Sequence, residues 1–110
     1  MRKLIRANGS SMELPAGMSL SELTSLIGAE RCDTVVLHHM GEPLHIMIVD
    51  DRGYEVTAIR HSPTHTELRT GRALKPVNAE ATSLYLANCK RGTTHQIVGD
   101  VVIVPDSDFA

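Results

Sequence analysis

Apolar residues that recur every three or four positions predict two helices in this chain. In SLSELTSLIG, residues 19–28, Ser19 and Glu22 have the spacing of a capping box, and Gly28 fits the position just after a helix end. The second helix is predicted over residues 78–91, where Asn78 is a suitable N-cap.

Strands are predicted where apolar residues alternate with polar ones or follow each other without a helical period. Asn8-Gly9 separates two short runs and is typical of a hairpin turn, because both residues tolerate positive φ. The runs DTVVLHHM and LHIMIVD are apolar on both faces, which predicts two central strands joined as a hairpin with MGEP at its tip. The predicted strands lie within residues 3–14, 33–40, 44–50, 54–59 and 95–105.

This order of elements, ββ-α-βββ-loop-α-β(β), predicts an α+β fold. We expect a mainly antiparallel sheet of about five or six strands, with the two helices covering one face of it. The length of 110 residues predicts a single globular domain over residues 1–110, ending in a short acidic tail at 105–110. Residues 60–76 contain Pro63, Gly71 and several threonines, and they are predicted to form a long loop or flap.

Charge is distributed unevenly along the chain. The formal net charge is −2, but residues 60–75 carry +3, which leaves −5 for the remainder. The low net charge and the scarcity of aromatic residues argue against general nucleic-acid binding. A basic stretch on an acidic body indicates either an anionic ligand or partner, or a solvated loop with a few basic side chains.

The cysteines and the first residues bear on the cellular compartment. Cys32 and Cys89 are far apart in the sequence and have no metal-binding spacing. The stretch MRKLIRANG lacks the apolar core of an export signal, and no run reaches the length of a membrane span. We expect a location in the cytoplasm of a bacterial host, with both thiols reduced and no contact with a membrane.

Several stretches resemble a family of small uncharacterised proteins encoded by phages, plasmids and other mobile elements. The matching segments are Leu14-Pro15, Ser19 to Gly28, Val49-Asp50-Asp51-Arg52-Gly53, Pro76 to Tyr85 (PVNxxATxLY) and Ile97 to Val104 (IVGDVVIV). The resemblance implies an accessory protein of a mobile element, and it brings no catalytic residues to this chain.

A cluster of histidines in HHMGEPLH, residues 38–45, is one candidate site. A short hairpin loop would place His45 directly opposite His38 or His39, with Cβ atoms roughly 4.5–5.5 Å apart. Such a pair could be a metal site if Glu42 or a histidine of residues 60–76 completed it. The interpretation that we favour is a half-exposed cross-strand contact at the surface, and we expect no metal or other cofactor.

The basic segment is the leading candidate for a binding site. Its donors suit phosphate or carboxylate groups, which arginine can bind in a bidentate manner. The candidate residues are Arg60, His61, His65, Arg69, Arg72 and Lys75.

Three functions fit these observations. The first is a non-enzymatic binding protein that engages a host protein or complex, for instance as an inhibitor of a defence system. The second is an oligomeric protein that binds a nucleotide or another anionic small molecule through the basic segment. The third is a small metal-dependent enzyme that uses His38, His39 and His45.

Overall fold

The secondary structure of this chain comprises nine helices and strands in the part that the computed structural model describes, residues 2–50, 53–89 and 91–109. In chain order they are β1 (Lys3–Ile5), β2 (Ser11–Glu13), α1 (Leu20–Leu26), β3 (Cys32–Leu37), β4 (His45–Asp50), β5 (Tyr54–Ser62), β6 (His65–Ala73), α2 (Ala79–Asn88) and β7 (Val101–Pro105). Two 3₁₀ turns, His38–Met40 and Asp106–Phe109, follow β3 and β7.

The fold is α+β, as the sequence predicts, and its main sheet has five strands in the order β2-β1-β7-β4-β3. Every neighbouring pair in this sheet is antiparallel. Strand β4 is an inner strand, as predicted, whereas β3 is at an edge and not in the centre. The edge position explains why Val36 on β3 is exposed although its run is continuously apolar.

The two helices lie on opposite faces of the main sheet, and the prediction that they cover a single face is wrong. Leu23 of α1 packs with Val102 and Val104 of β7 in one core cluster. Ala81 of α2 packs with Val101 and Ile103 in the other. Because successive residues of a strand point to opposite faces, β7 must be apolar throughout to fill both clusters.

Capping residues fix both helices where the sequence predicts them. Ser19 Oγ accepts a hydrogen bond from Glu22 N at 3.1 Å, and Glu22 Oε1 accepts one from Ser19 N at 3.3 Å, which completes the capping box. Asn78 Oδ1 accepts from Ala81 N at 3.0 Å at the start of α2. Among the described residues, neither helix nor any other is long and apolar enough to cross a membrane.

Residues 60–76 do not form the predicted loop. Strand β5 continues to Ser62, Pro63-Thr64 makes the turn, and β6 returns antiparallel to β5 as a separate two-stranded sheet. Pro63 interrupts the strand pattern only because it lies in the turn. Gly71 lies where the register shifts between Val56↔Thr70 and Tyr54↔Ala73, and glycine is common at such irregular positions.

The predicted acidic tail, residues 105–110, is ordered against the start of the chain where the structure describes it. Pro105 is the last residue of β7, and Asp106 N donates to Leu44 O at 2.7 Å. Arg2 donates two hydrogen bonds to the Asp108 carboxylate, from Nε at 2.8 Å and from Nη2 at 2.7 Å. This pair lowers the pKa of the Asp108 carboxyl, chiefly through the hydrogen bond from Arg2.

Candidate partner-binding site

The hairpin of β5 and β6, Tyr54–Ala73, is called the arm here. Its strands of nine residues each pair with one another and with no strand of the main sheet. The molecule is elongated, 48 × 31 × 30 Å, and its radius of gyration is 15.2 Å. A compact domain of this length has a radius of gyration of about 13 Å, so this molecule is more extended than a compact domain.

The base of the arm is closed by one hydrogen bond and joined to the body by another. Leu74 N donates to Gly53 O at 2.8 Å across the two ends of the hairpin, and the Tyr54 side-chain hydroxyl donates to Gln96 O of the body at 2.6 Å. Gly53 is buried so tightly that a Cβ there would lie 2.4 Å from Val98 Cγ2. The arm therefore leaves the body at a defined position.

One face of the arm carries a charged cluster near its tip. Arg69 Nε donates to Glu67 Oε2 at 2.5 Å, and His61 Nε2 lies 3.8 Å from Glu67 Oε1. The ring centroids of His61 and His65 are 5.4 Å apart. The Arg69 side chain is 65% exposed, so its guanidinium remains accessible to a partner despite the contact with Glu67.

The opposite face of the arm combines a basic and an apolar side chain. The pairs Ala58↔Leu68 and Arg60↔Thr66 share this face, because they alternate with Ile59↔Glu67 along the strands. Leu68 is 70% exposed, the highest value among the large apolar side chains that the structure describes. Both faces of the arm are thus available to solvent around these residues.

Four of the six predicted site residues lie together on the outer half of the arm: Arg60, His61, His65 and Arg69. Arg72 is on β6, and its side chain is outside the part that the structure describes. Lys75 follows the arm and belongs to the body. Its Nζ forms an ion pair with the buried Asp50 carboxylate and donates to Gly28 O at 3.3 Å. Lys75 is therefore held within the body by these contacts, and the structure does not bring it together with the predicted site residues on the arm.

The histidines of HHMGEPLH do not form the predicted cross-strand pair. His45 is opposite Leu37, while His38 and His39 lie in the 3₁₀ turn. The connection between β3 and β4 therefore spans residues 38–44, longer than the loop of three or four residues on which the prediction depended. His45 is buried and its Nδ1 lies 2.7 Å from Pro43 O. Within the described ranges, no three histidine, cysteine or acidic side chains are grouped so that they could hold a metal ion.

A cluster of aromatic rings lies at the base of the arm, and it was not predicted from the sequence. The His95 ring lies 5.3 Å from that of Tyr54 and 5.9 Å from that of Tyr85, measured between centroids. Burial raises the pKa of Tyr54, and a hydrogen bond with the Cys89 thiol, followed by burial, raises the pKa of Tyr85. These residues are far apart in sequence, so only the topology could reveal the cluster, which joins the arm to α2.

The chain matches no known family model, no curated protein and no solved structure.

Proposed function

We propose that this protein is a non-enzymatic binding protein that engages a host protein or complex through the outer half of the arm. The single observation that supports this is the exposure of Arg60, Leu68 and Arg69 on a hairpin that pairs with no other strand of the described chain. From the family resemblance we further propose an accessory protein of a mobile element, for instance an inhibitor of a host defence system.

The construction of the arm favours a binding role over a structural one. An isolated two-stranded hairpin is marginally stable in water, and it gains stability when another surface covers it. The arm also leaves Leu68 exposed, although burial of a leucine side chain contributes about 1.5–3 kcal/mol. A partner that covers Leu68 would recover this free energy.

The side chains around Leu68 indicate the chemistry of the partner surface. Arginine is enriched in protein–protein interfaces because it combines an apolar stem with a planar group of donors. Arg60 lies on the same face as Leu68, and Arg69 lies on the other face. The arm, residues 54–73, carries three arginines and two glutamates, a formal charge of +1. Since Arg60 and Arg69 are exposed close to Leu68, we propose that the partner surface has carboxylates around an apolar centre.

The alternative function, binding of an anionic small molecule such as a nucleotide, has one observation in its favour. A depression of about 360 Å³ in the body is lined in part by Arg6, Lys75 and Asn8. However, Asp100 lines it too, and Lys75 is already paired with Asp50. Of the six predicted site residues, only Lys75 is among those that line this depression.

A capture experiment with matched arginine variants tests the proposal. Wild type, Arg60→Glu on the arm and Arg31→Glu on the body would each be immobilised and exposed to the same host lysate. Both arginines are exposed, so the two variants make the same charge change at different places. We expect wild type and Arg31→Glu to retain a common host protein that Arg60→Glu loses.

Two results would contradict the proposed function. Equal retention by all three proteins would remove the arm from the binding site. Native mass spectrometry that shows a bound small molecule, and no captured protein, would favour the anionic ligand instead.

A further inference from the structure

We propose that the outer edge of β6 pairs with the same edge of a second copy of this chain. The pairing is antiparallel and has a two-fold axis at Leu68, so that the two arms form a four-stranded sheet in the order β5-β6-β6-β5. This self-association concerns the edge of the arm and does not depend on the identity of a host partner.

The edges of the main sheet are protected or short. At edge strand β3, the Asn88 side chain accepts from His38 N at 2.8 Å and donates to Val36 O at 2.5 Å, so it occupies backbone groups that another strand would use. The other edge strand, β2, has only three residues. The arm, in contrast, has strands of nine residues whose outer edges pair with no described strand. Long unpaired edges of this kind are templates for pairing with another chain.

The sequence of β6 is self-complementary around Leu68. Residues 66–70 are Thr-Glu-Leu-Arg-Thr, which reads the same in both directions except that glutamate and arginine exchange places. An antiparallel copy centred on Leu68 places each Glu67 opposite an Arg69, the two Leu68 opposite each other, and positions 66 and 70 opposite each other. Opposite charges, apolar pairs and threonine pairs are the combinations that stabilise neighbouring strands.

The local geometry of β6 supports pairing over this same segment. The β5–β6 register is continuous from Val56↔Thr70 to Arg60↔Thr66, and irregular on both sides of that stretch. Bulges disturb a strand edge and limit further pairing. The regular stretch of β6 therefore coincides with the self-complementary segment.

The positions of the charged residues favour pairing through β6 with the two-fold axis at Leu68 over other registers and over pairing through β5. A two-fold axis perpendicular to the sheet requires that one residue faces its own copy, because paired side chains lie on the same face of a sheet. An axis at Glu67 or at Arg69 would bring like charges together at the centre. An axis at Thr57 of β5 would place Glu55 opposite Ile59, without a charge pair. Among these axes, only Leu68 brings glutamate opposite arginine.

The dimer would complete contacts that the single chain leaves open. Arg69 and Glu67 already lie on one face within one chain, and the second copy would extend them to a network of four alternating charges. On the opposite face, the two Leu68 side chains would lie side by side next to Ala58, and the outer surface of this apolar pair would stay open to the host partner. An isologous contact of this kind closes as a dimer and cannot grow into a filament.

Charge-swap variants test the pairing through analytical ultracentrifugation and native mass spectrometry. We expect wild type to approach twice the chain mass of 12.0 kDa as its concentration rises. Glu67→Arg and Arg69→Glu would each place like charges opposite one another, and each should weaken the dimer by about tenfold or more. The double variant Glu67→Arg/Arg69→Glu restores opposite charges and should dimerise like wild type.

A mixture of the two single variants separates pairing between chains from the contact within one chain. Each single variant loses the internal Glu67–Arg69 pair, yet a heterodimer of the two has opposite charges at both cross-strand positions. We expect a mass-labelled mixture to form this heterodimer while each variant alone stays monomeric. Circular dichroism of all variants would confirm that they fold.

Two outcomes would overturn the proposal. One is a wild type that remains at 12.0 kDa throughout the concentration series. The other is a dimer that the single variants form as well as wild type does, with no preference for the heterodimer in the mixture.

Discussion

The Asn78 side-chain amide donates a hydrogen bond to the backbone carbonyl of Ile5 at 3.0 Å, and this contact joins the start of α2 to β1. The same amide donates to Gly99 O at 3.0 Å, so Asn78 also holds the segment that leads into β7. Asn78 is buried, and its three side-chain hydrogen bonds connect the start of α2 with β1 and with the segment before β7.

Replacement of Asn78 by alanine should destabilise the protein. The substitution removes the N-cap of α2 and leaves the buried carbonyls of Ile5 and Gly99 without this donor, which predicts a loss of about 2–4 kcal/mol. Denaturant unfolding followed by circular dichroism measures the change. Asn8→Ala is the control, because Asn8 is an exposed turn residue, and it should cost less than about 1 kcal/mol. Equal losses would show that Asn78 does not have this central role.

The helices and strands that bury one or both faces in the core were predicted well from the sequence. The capping box of α1 and the N-cap of α2 are local patterns with a direct physical effect, and both helices begin where these residues indicate. Strands β4 and β7 are apolar on both faces because helices cover both sides of the sheet. The assignment of both helices to one face failed because apolar spacing defines a buried stripe without stating what covers it.

Strand β5 was predicted over residues 54–59, but β6 escaped prediction because most of its described side chains are exposed. Without a buried face, β6 has no alternation of apolar and polar residues, and its threonines and charges resemble a loop. Its strand character lies in the pairing with β5. The histidine pair failed for a different reason, since the prediction depended on the length of the connection between β3 and β4. A 3₁₀ turn lengthened that connection and moved His38 and His39 out of register.

Gly53 should not tolerate a side chain at the base of the arm. Its Cβ would lie 2.4 Å from Cγ2 of the buried Val98, a stiff β-branched residue that cannot move aside easily. We expect Gly53→Ala to reduce the free energy of unfolding by about 1–3 kcal/mol through overpacking. In a Val98→Ala background the same change should cost much less, because the obstructing methyl group is gone. A double-mutant cycle measures this coupling, and identical costs in the two backgrounds would rule it out.

The tyrosines should titrate at higher pH in the folded protein than in the unfolded chain. The pKa of Tyr54 is raised above 10.0 by burial, and that of Tyr85 by its hydrogen bond with Cys89 and then by burial. A phenol whose folded pKa is raised contributes stability that is present below the unfolded value and is lost as the pH rises above it. Since the chain has two tyrosines and no tryptophan, near-ultraviolet absorbance reports them alone.

A pH titration of absorbance in buffer and in denaturant checks this expectation. We expect the folded curve to lie at higher pH than the denatured one. Cys89→Ala should move part of the folded curve, the part that belongs to Tyr85, back towards 10.0. Coincident curves in buffer and denaturant would contradict the contacts at the base of the arm.

Cysteine cross-linking should reveal the register of the proposed dimer. In that register the two copies of residue 68 face each other, with Cβ atoms roughly 4.5–5.5 Å apart, close to the separation that a disulfide spans. Leu68→Cys should therefore form a covalent dimer under mild oxidation, as seen on a non-reducing gel.

The control places the cysteine at residue 66. In the proposed register the two copies of residue 66 are offset by four positions, or about 13 Å along the strands. Thr66→Cys is thus a control on the same face. It should form no covalent dimer on this gel, like wild type, which carries only Cys32 and Cys89. A covalent dimer from both variants would indicate random collision, whereas a dimer from Thr66→Cys alone would place the two-fold axis elsewhere on β6.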